Sequence, residues 1–183
     1  MNTNKIIAIV GMPGSGKGEV VKYLGERGFP SVYFGGQIIQ EVERRGLERN
    51  AENESLVRKE LRAQHGMAGV AVLSLPVIKE LLATNTVILD GLYSWSELAL
   101  LNKEFPKRVF VLAVCSDRAI RYTRLRNRPV RPFTQEEAAA RDIEEIEKIE
   151  KGGPIAFADF NILNNGTMPE LHEQVEAVLQ KIS

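Results

Sequence analysis

The chain has 183 residues, and among them are one cysteine, one tryptophan and two histidines. A lone thiol, Cys115, cannot close an internal disulfide, so no disulfide framework holds this fold and Cys115 reads as a packed side chain. His65 and His172 stand far apart without metal-ligating neighbours. That excludes a histidine-built metal centre and makes both surface residues. Trp95 reads as a packing residue. Excess charge is also missing, with 24 basic residues against 24 acidic ones. The balance argues against a nucleic-acid or membrane-surface binder. No apolar run approaches membrane-spanning length. The first apolar run leads straight into a glycine-rich loop, so no signal peptide is read there. Repeats and low-complexity linkers are absent. These absences fit a cytoplasmic chain, monomer or homodimer, folded as a single domain over 1–183.

What is present is the stretch Lys5-Ile-Ile-Ala-Ile-Val-Gly-Met-Pro-Gly-Ser-Gly-Lys-Gly18. Ile6 to Val10 reads as a buried parallel strand. Gly11, Gly16 and Lys17 fit the frame of a phosphate-binding loop, in which backbone N–H groups point inward and the lysine sits beside β- and γ-phosphates. Val20, Val21 and Leu24 continue at helical spacing, and a helix begun there aims its positive end at the same anion. Gly11, Pro13, Gly14, Ser15, Gly16, Lys17, Gly18 and Glu19 are therefore the candidate nucleotide-binding residues, for ATP or GTP. An ordinary tight strand-to-helix turn is the bland alternative, but such a turn needs neither three glycines nor a lysine.

Strands and helices alternate along the rest. Strands are expected at 5–10, 31–34, 86–89, 108–114 and 158–163. Helices are expected at 17–27, 37–45, 51–83 (broken near Gly66 and loosened at Pro76), 94–104, 117–128, 134–151 and 168–182. Gly35-Gly36 and Gly152-Gly-Pro154 read as breaks. Thr134 and Glu137 form a capping box. Ile143, Ile146 and Ile149 read as the buried stripe of that helix. The pattern predicts an α/β fold, a three-layer parallel sheet covered on both faces. Ligands bind beyond the carboxyl ends of such strands, so the loops at 11–18, 35–37, 90–94 and 115–117 should share one rim.

Asp90 follows three apolar residues at a strand end on that rim. It is either a carboxylate linked to Mg²⁺ through water or a turn aspartate before Gly91. Arginine is concentrated at Arg118, Arg121, Arg124, Arg126, Arg128 and Arg131. Phosphoryl transfer leaves charge that arginine forks neutralise, so Arg124, Arg128 and Arg131 could ride on a flap over the phosphates, with Arg141 pointing back from the next helix. Any one of these is as readily a solvated helix face.

These motifs resemble the nucleoside monophosphate kinase family, whose best-known member is adenylate kinase. Gly11 to Gly18 resembles its phosphate loop, which also carries Gly after the lysine. Tyr33-Phe-Gly-Gly-Gln-Ile-Ile39 resembles the turn and helix that open the acceptor site. Val87-Ile-Leu-Asp-Gly-Leu92 resembles the strand-end Asp-Gly motif, and Arg124-Leu-Arg-Asn-Arg128 the start of the lid. Over its whole length the chain is similar to an archaeal group of adenylate-kinase-related proteins. Ala158 to Thr167, with Glu170-Leu and Gln174-Val, resembles the last strand and helix of dephospho-CoA kinase.

The resemblance implies a P-loop nucleotide kinase fold with a helical acceptor-site region at about 36–83 and a short lid at about 126–135. It implies ATP and Mg²⁺ as cofactors, with Asp90 holding the metal through water. Lys17, Asp90, Arg124 and Arg128 would carry catalysis, and Gly36, Gln37, Arg44, Arg62, Asp90 and Gly91 would bind a small phosphoryl acceptor. The chain departs from the family in four places. Glu19 replaces a threonine, Gln37 stands where an acid is common, and Gln40 and Tyr93-Ser94 occupy the usual places of acceptor-phosphate arginines. Nucleotide binding is the expectation, with transfer to a nucleoside monophosphate. Dephospho-CoA kinase and a non-kinase NTPase switch remain the alternatives.

Overall fold

The structure, a computed structural model, describes residues 4–182. Five strands form one all-parallel sheet: β1 (Ile6–Val10), β2 (Ser31–Tyr33), β3 (Val87–Asp90), β4 (Val109–Cys115) and β5 (Phe160–Leu163), in the order β2-β3-β1-β4-β5. Each β1 side chain is buried because helices cover both faces. Ile6, Ala8 and Val10 join the cluster that includes Ala71, Ile78 and Leu98. Ile7 and Ile9 face the other way, toward Val20, Leu24 and Val175. This period of two divides the core into two layers.

The helices are α1 (Lys17–Glu26), α2 (Phe34–Arg44), α3 (Ala51–His65), α4 (Gly69–Leu82), α5 (Trp95–Glu104), α6 (Arg118–Asn127), α7 (Gln135–Glu147), α8 (Gly152–Ala156) and α9 (Met168–Ile182). A 3₁₀ turn at Gly66–Ala68 joins α3 to α4. Outside the sheet layers, Ile38 and Val42 of α2 pack with Val57 and Leu61 of α3 as a small separate core.

Four expectations need correction. Phe34, Gly35 and Gly36 are helical, so the second strand stops at Tyr33. Gly152-Gly-Pro154 is a short helix, with proline in its first turn where the missing N–H is harmless. Trp95 is 43% exposed and meets the edge of the more open Phe157. The helical stretch Ala51–Leu82 does hold a window long and apolar enough to cross a membrane. It is broken at Gly66, whose φ is 62°, and Ala71, Ile78 and Leu82 belong to the sheet's core.

The start of α5 is built on a buried acid. Ser94 Oγ accepts from Glu97 N–H at 3.0 Å, while Glu97 Oε2 accepts from the N–H groups of Tyr93 (2.8 Å) and Ser94 (2.9 Å). Burial pushes the Glu97 carboxyl up from 4.5 to about 7, against the pull of those N–H donors. Between these values the folded chain holds a proton that the unfolded chain has released. Stability from this group is therefore full below pH 4.5 and is lost as pH rises through 7. Glu97→Gln keeps an acceptor oxygen and cannot ionise. Its melting temperature relative to the parent is expected to climb by roughly 2–8 °C between pH 5 and pH 8. A difference that stays flat with pH would mean that Glu97 ionises normally.

Candidate active site

The glycine-rich loop leaves the sheet at its central strand and closes on α1. Positive φ and close neighbours call for glycine at positions 11, 14 and 16. Gly11 has φ 146°, and a Cβ there would lie 2.4 Å from the Val114 carbonyl oxygen. Gly16 caps α1 with φ 97°, and a Cβ there would meet Asn164 Nδ2 at 2.1 Å. Inside the loop, Lys17 Nζ donates to the Gly11 and Met12 carbonyls at 2.8 and 3.1 Å. Ser15 is fully buried, and its Oγ finds no partner among the described residues. The loop is thus a cradle with one ammonium folded into it and one hydroxyl unsatisfied. A cradle of this kind has the donors to receive an anion at the α1 N-terminus.

Side chains from distant segments hold this loop. Asn164, just past β5, donates from Nδ2 to the Ser15 carbonyl at 2.8 Å. Ser116 donates to the Asn164 carbonyl at 2.6 Å and receives Arg124 Nη1 at 3.0 Å. Arg121 donates to the Pro13 carbonyl at 2.9 Å and grips both carboxylate oxygens of Asp142 at 3.0 and 2.6 Å. Of the arginine run, Arg121 is therefore committed beneath the loop as a strut.

Asp90 ends β3 in register with Ile9 and Tyr33, beside the loop. Burial raises its carboxyl, and the Lys17 charge opposes that rise. Gly91 follows with φ 88°, next to the Tyr33 ring. Two of the hollows beside the loop gather candidate residues. One, of about 480 Å³, lies between Gly14, Gly16, Glu19, Arg124, Asn164 and Met168. Glu19 and Gly18 sit exposed on the first turn of α1. The other hollow is a cleft of about 750 Å³ that brings together Lys17, Arg128, Arg131, Arg141 and Lys151, with Glu145 its only lining carboxylate among the described residues. Tyr33 and Tyr93 form its aromatic walls. Arg128 also borders the first hollow, and its guanidinium lies 4.3 Å from the Phe133 ring centre.

Other candidates stand apart from the cleft. Arg44 is 73% exposed and paired with buried Glu41 at 2.7 Å, which also takes Arg45. These guanidiniums hold Glu41 down at about 2, Arg44 first. Arg62 is exposed on α3, near enough to Glu97 to act on its charge. Gly36 and Gln37 lie in the first turn of α2, with Gln37 buried.

Helix α7 reverses the expected amphipathicity. Ile143 and Ile146 are 55% and 53% exposed, while Asp142 and Glu145 point inward. The charges go in because cations await them. Asp142 meets Arg121, and Glu145 binds both Arg141 at 2.9 Å and the Lys151 ammonium. Lys151 is only 2% exposed, and its ammonium stands 4.5 Å from the Tyr93 ring centre. Burial raises Tyr93 to about 12, so it stays a neutral phenol. Sequence reasoning places Lys151 at the tail of a charged helix and misses its part in the site. The one available signal is its position directly before Gly152-Gly-Pro154, where a helix end turns the chain back.

The donor set suits a polyphosphate, and it suits magnesium through water. Position 18 has no hydroxyl, and Asp90 is one carboxylate beside Lys17. Among the described residues there is no group of three or more His, Cys, Asp or Glu able to hold a metal ion directly.

A family model described as an AAA domain matches residues 7–159. A UPF0200 protein of Thermococcus sibiricus is 36% identical, covering 97% of this chain and 95% of the relative. A UPF0200 protein of Methanosarcina mazei is 32% identical over 96% and 94%. The structure of TT1252 from Thermus thermophilus superposes with TM-score 0.68 at 22% identity, covering 98% of both chains. Shikimate kinase from Bacteroides thetaiotaomicron gives 0.59 at 16% identity, over 97% of this chain and 98% of that one. Dephospho-CoA kinase from Campylobacter jejuni gives 0.57 at 13%, over 99% and 98%. The fold is that of the P-loop kinases.

Burial and then the nearby Lys151 charge bring Lys17 down from 10.5 to about 7, while Glu145 and Asp90 pull the other way. An anion beside this amine restores its proton. Binding of ADP at pH 8 is therefore expected to take up a substantial fraction of a proton. Calorimetry in buffers of differing ionisation enthalpy measures the uptake, and Lys17→Met should remove it. Binding without proton uptake in the parent would mean that Lys17 is fully charged beforehand.

Proposed function

We propose that this chain, which belongs to the AAA-domain family and to the UPF0200 proteins, is an ATP-dependent phosphotransferase acting on a small molecule. One observation carries the reading: a glycine cradle with an inward lysine opens onto a cleft where four further cations converge. A plain turn has no use for so many cations facing one cleft, whereas a triphosphate and an acceptor meeting there do. The Gly-Lys-Gly loop and the Asp90-Gly91 turn support a relation to the adenylate kinases.

In this reading the loop N–H groups and Lys17 hold the β- and γ-phosphates. Arg124, bordering the smaller hollow, serves the donor side. Arg128 and Arg131, on the loop between α6 and α7, close over the transferred group. Bound magnesium, held through water by Asp90, would neutralise charge on the triphosphate. The acceptor oxygen forms its bond to the γ-phosphorus as the bridging P–O bond breaks, and ADP leaves. Burial of Asp90 and the walls of Tyr33 and Tyr93 limit the water that could compete. Helices α2 to α4 wall the acceptor side. Arg44 is already engaged by Glu41, and exposed Gln40 offers no charge, so AMP is not taken with ordinary adenylate-kinase efficiency and a larger or differently shaped small acceptor, a nucleoside monophosphate among them, suits the site better.

Lys17→Ala is expected to abolish transfer while the fold survives, because the side chain has no core role. Arg128→Lys should lower the rate by up to about 10³ with little change in melting temperature, since a point charge lacks the guanidinium fork. Near-normal turnover by the Lys17 variant would overturn the phosphate-loop reading.

A coupled assay with AMP, CMP, UMP, dTMP, GMP and dephospho-CoA under one set of conditions addresses the acceptor. Efficient transfer to a monophosphate other than AMP is the expected result. AMP as the clear best acceptor would mean that the substitutions at Gln40 and Tyr93 do not matter. Dephospho-CoA as the best would assign the other kinase class.

A further inference from the structure

Helix α6 has a second face that neither the cleft nor the smaller hollow beside the loop uses. Between α6 and α7 lies a space of about 490 Å³, lined by Arg118, Tyr122 and Arg126 of α6 and by Gln135 and Ala139 of α7. That volume is in the range of small-ligand pockets. None of its lining residues borders the cleft or the hollow at Asn164, and no carboxylate lines it among the described residues.

Eight residues, about 12 Å of helix, separate Arg118 from Arg126, with Tyr122 midway on the same face. A solvated helix face ordinarily matches its arginines with acids three or four residues away. No position at that spacing from either arginine is an acid. The acids that open α7 serve their own cap: Glu137 accepts from the Thr134 N–H at 2.7 Å, and its own backbone and then Thr134 hold the Glu136 carboxyl down. Arg121, Arg124 and Arg128 each have a partner within the protein. Arg118 and Arg126 pair with no acid among the described residues.

Tyr122 ties this space to the phosphate loop. Its hydroxyl donates to Asp142 Oδ2 at 3.2 Å, the oxygen that also accepts from Arg121 Nη2 at 2.6 Å, while Arg121 Nη1 donates to the Pro13 carbonyl. Arg118 borders a further hollow of about 250 Å³ together with Gly11, Ser15 and Arg121. We infer that the space between α6 and α7 is a separate site for a diphosphate anion, bridging Arg118 and Arg126 across Tyr122, and that its occupant steadies the loop and tightens nucleotide binding there. Two guanidiniums so spaced suit a diphosphate better than a single phosphate, and Gln135 adds an amide donor. The site goes beyond the phosphotransferase reading; only the coupling needs a nucleotide in the loop.

Calorimetry in magnesium-free buffer tests both parts. The loop is first saturated with ADP, and pyrophosphate or inorganic phosphate is then added. Pyrophosphate is expected to bind saturably and more tightly than phosphate. A second equivalent of ADP that pyrophosphate displaces assigns a nucleotide as the source of the diphosphate, and a single equivalent assigns free diphosphate. Arg118→Gln and Arg126→Gln should each weaken pyrophosphate by about tenfold and leave ADP binding alone unchanged. Pyrophosphate should tighten ADP several-fold, and ADP should tighten pyrophosphate by the same factor. Tyr122→Phe keeps the ring and loses the bond to Asp142, so it should retain pyrophosphate and lose the coupling.

Pyrophosphate that only competes with ADP, or whose binding falls with Arg131→Gln and not with Arg118→Gln, belongs to the cleft, and the separate site is then wrong while the kinase reading stands. Binding that depends on Arg118 and Arg126 but leaves ADP affinity unchanged overturns the coupling. If ADP itself fails to bind, the kinase reading falls, and the dependence of pyrophosphate on Arg118 and Arg126 still decides the site.

Discussion

The guanidinium of Arg121 is the tie on which the site depends. It donates to the Pro13 carbonyl and to both oxygens of Asp142. One side chain thereby fixes the phosphate loop to α6, which carries it, and to α7, which carries Asp142. The pair is almost fully buried, and the energetics of such pairs are asymmetric: together they add little net stability, but removing one partner costs about 3–5 kcal/mol. What the pair does for the molecule is geometric. It sets the distance between a loop made of glycines, which has little stiffness of its own, and a helix that faces the cleft.

That tie also explains the reversed face of α7. A helix normally turns isoleucines inward. Here each turn of the inner face meets a cation that is already buried: Arg121 at one level, Lys151 one turn later. An isoleucine at either level would strand a charge, at a penalty larger than the gain from burying one aliphatic chain. Ile143 and Ile146 are left outside because the alternative is worse.

Most of the fold was legible from period and punctuation. Val87-Ile-Leu, Val109 to Val114 and Ile6 to Val10 are continuous apolar runs with turn signals at their ends, and such runs have few alternatives in an α/β chain. The capping box at Thr134 and Glu137 could be read from two residues because its chemistry is local. The misses share a different cause. The orientation of α7 depends on Arg121 and Lys151, which are distant in sequence or lie past a helix end. Phe34 to Gly36 are helical because the Phe34 ring is buried in the sheet's core, a contact that outweighs weak glycine propensity. For the site, the loop and the Asp90 turn were visible as motifs. Lys151 was not, because a lysine in a run of Glu and Lys looks like solvated surface until the chain's return on itself is known.

The support of the loop has a consequence for how the chain can be cut. Asn164 lies at the far edge of the sheet, after β5, yet its side chain bonds the Ser15 carbonyl and sets the space that admits only glycine at position 16. The first and last segments of the sequence therefore build one piece of chemistry. A shortened fragment ending after β4 would keep every residue of the glycine-rich motif and lose the surface that shapes it. Its failure to hold a nucleotide would say nothing about the motif. Circular permutation that preserves the β5–loop contact is the gentler operation, since there only the order of connection changes.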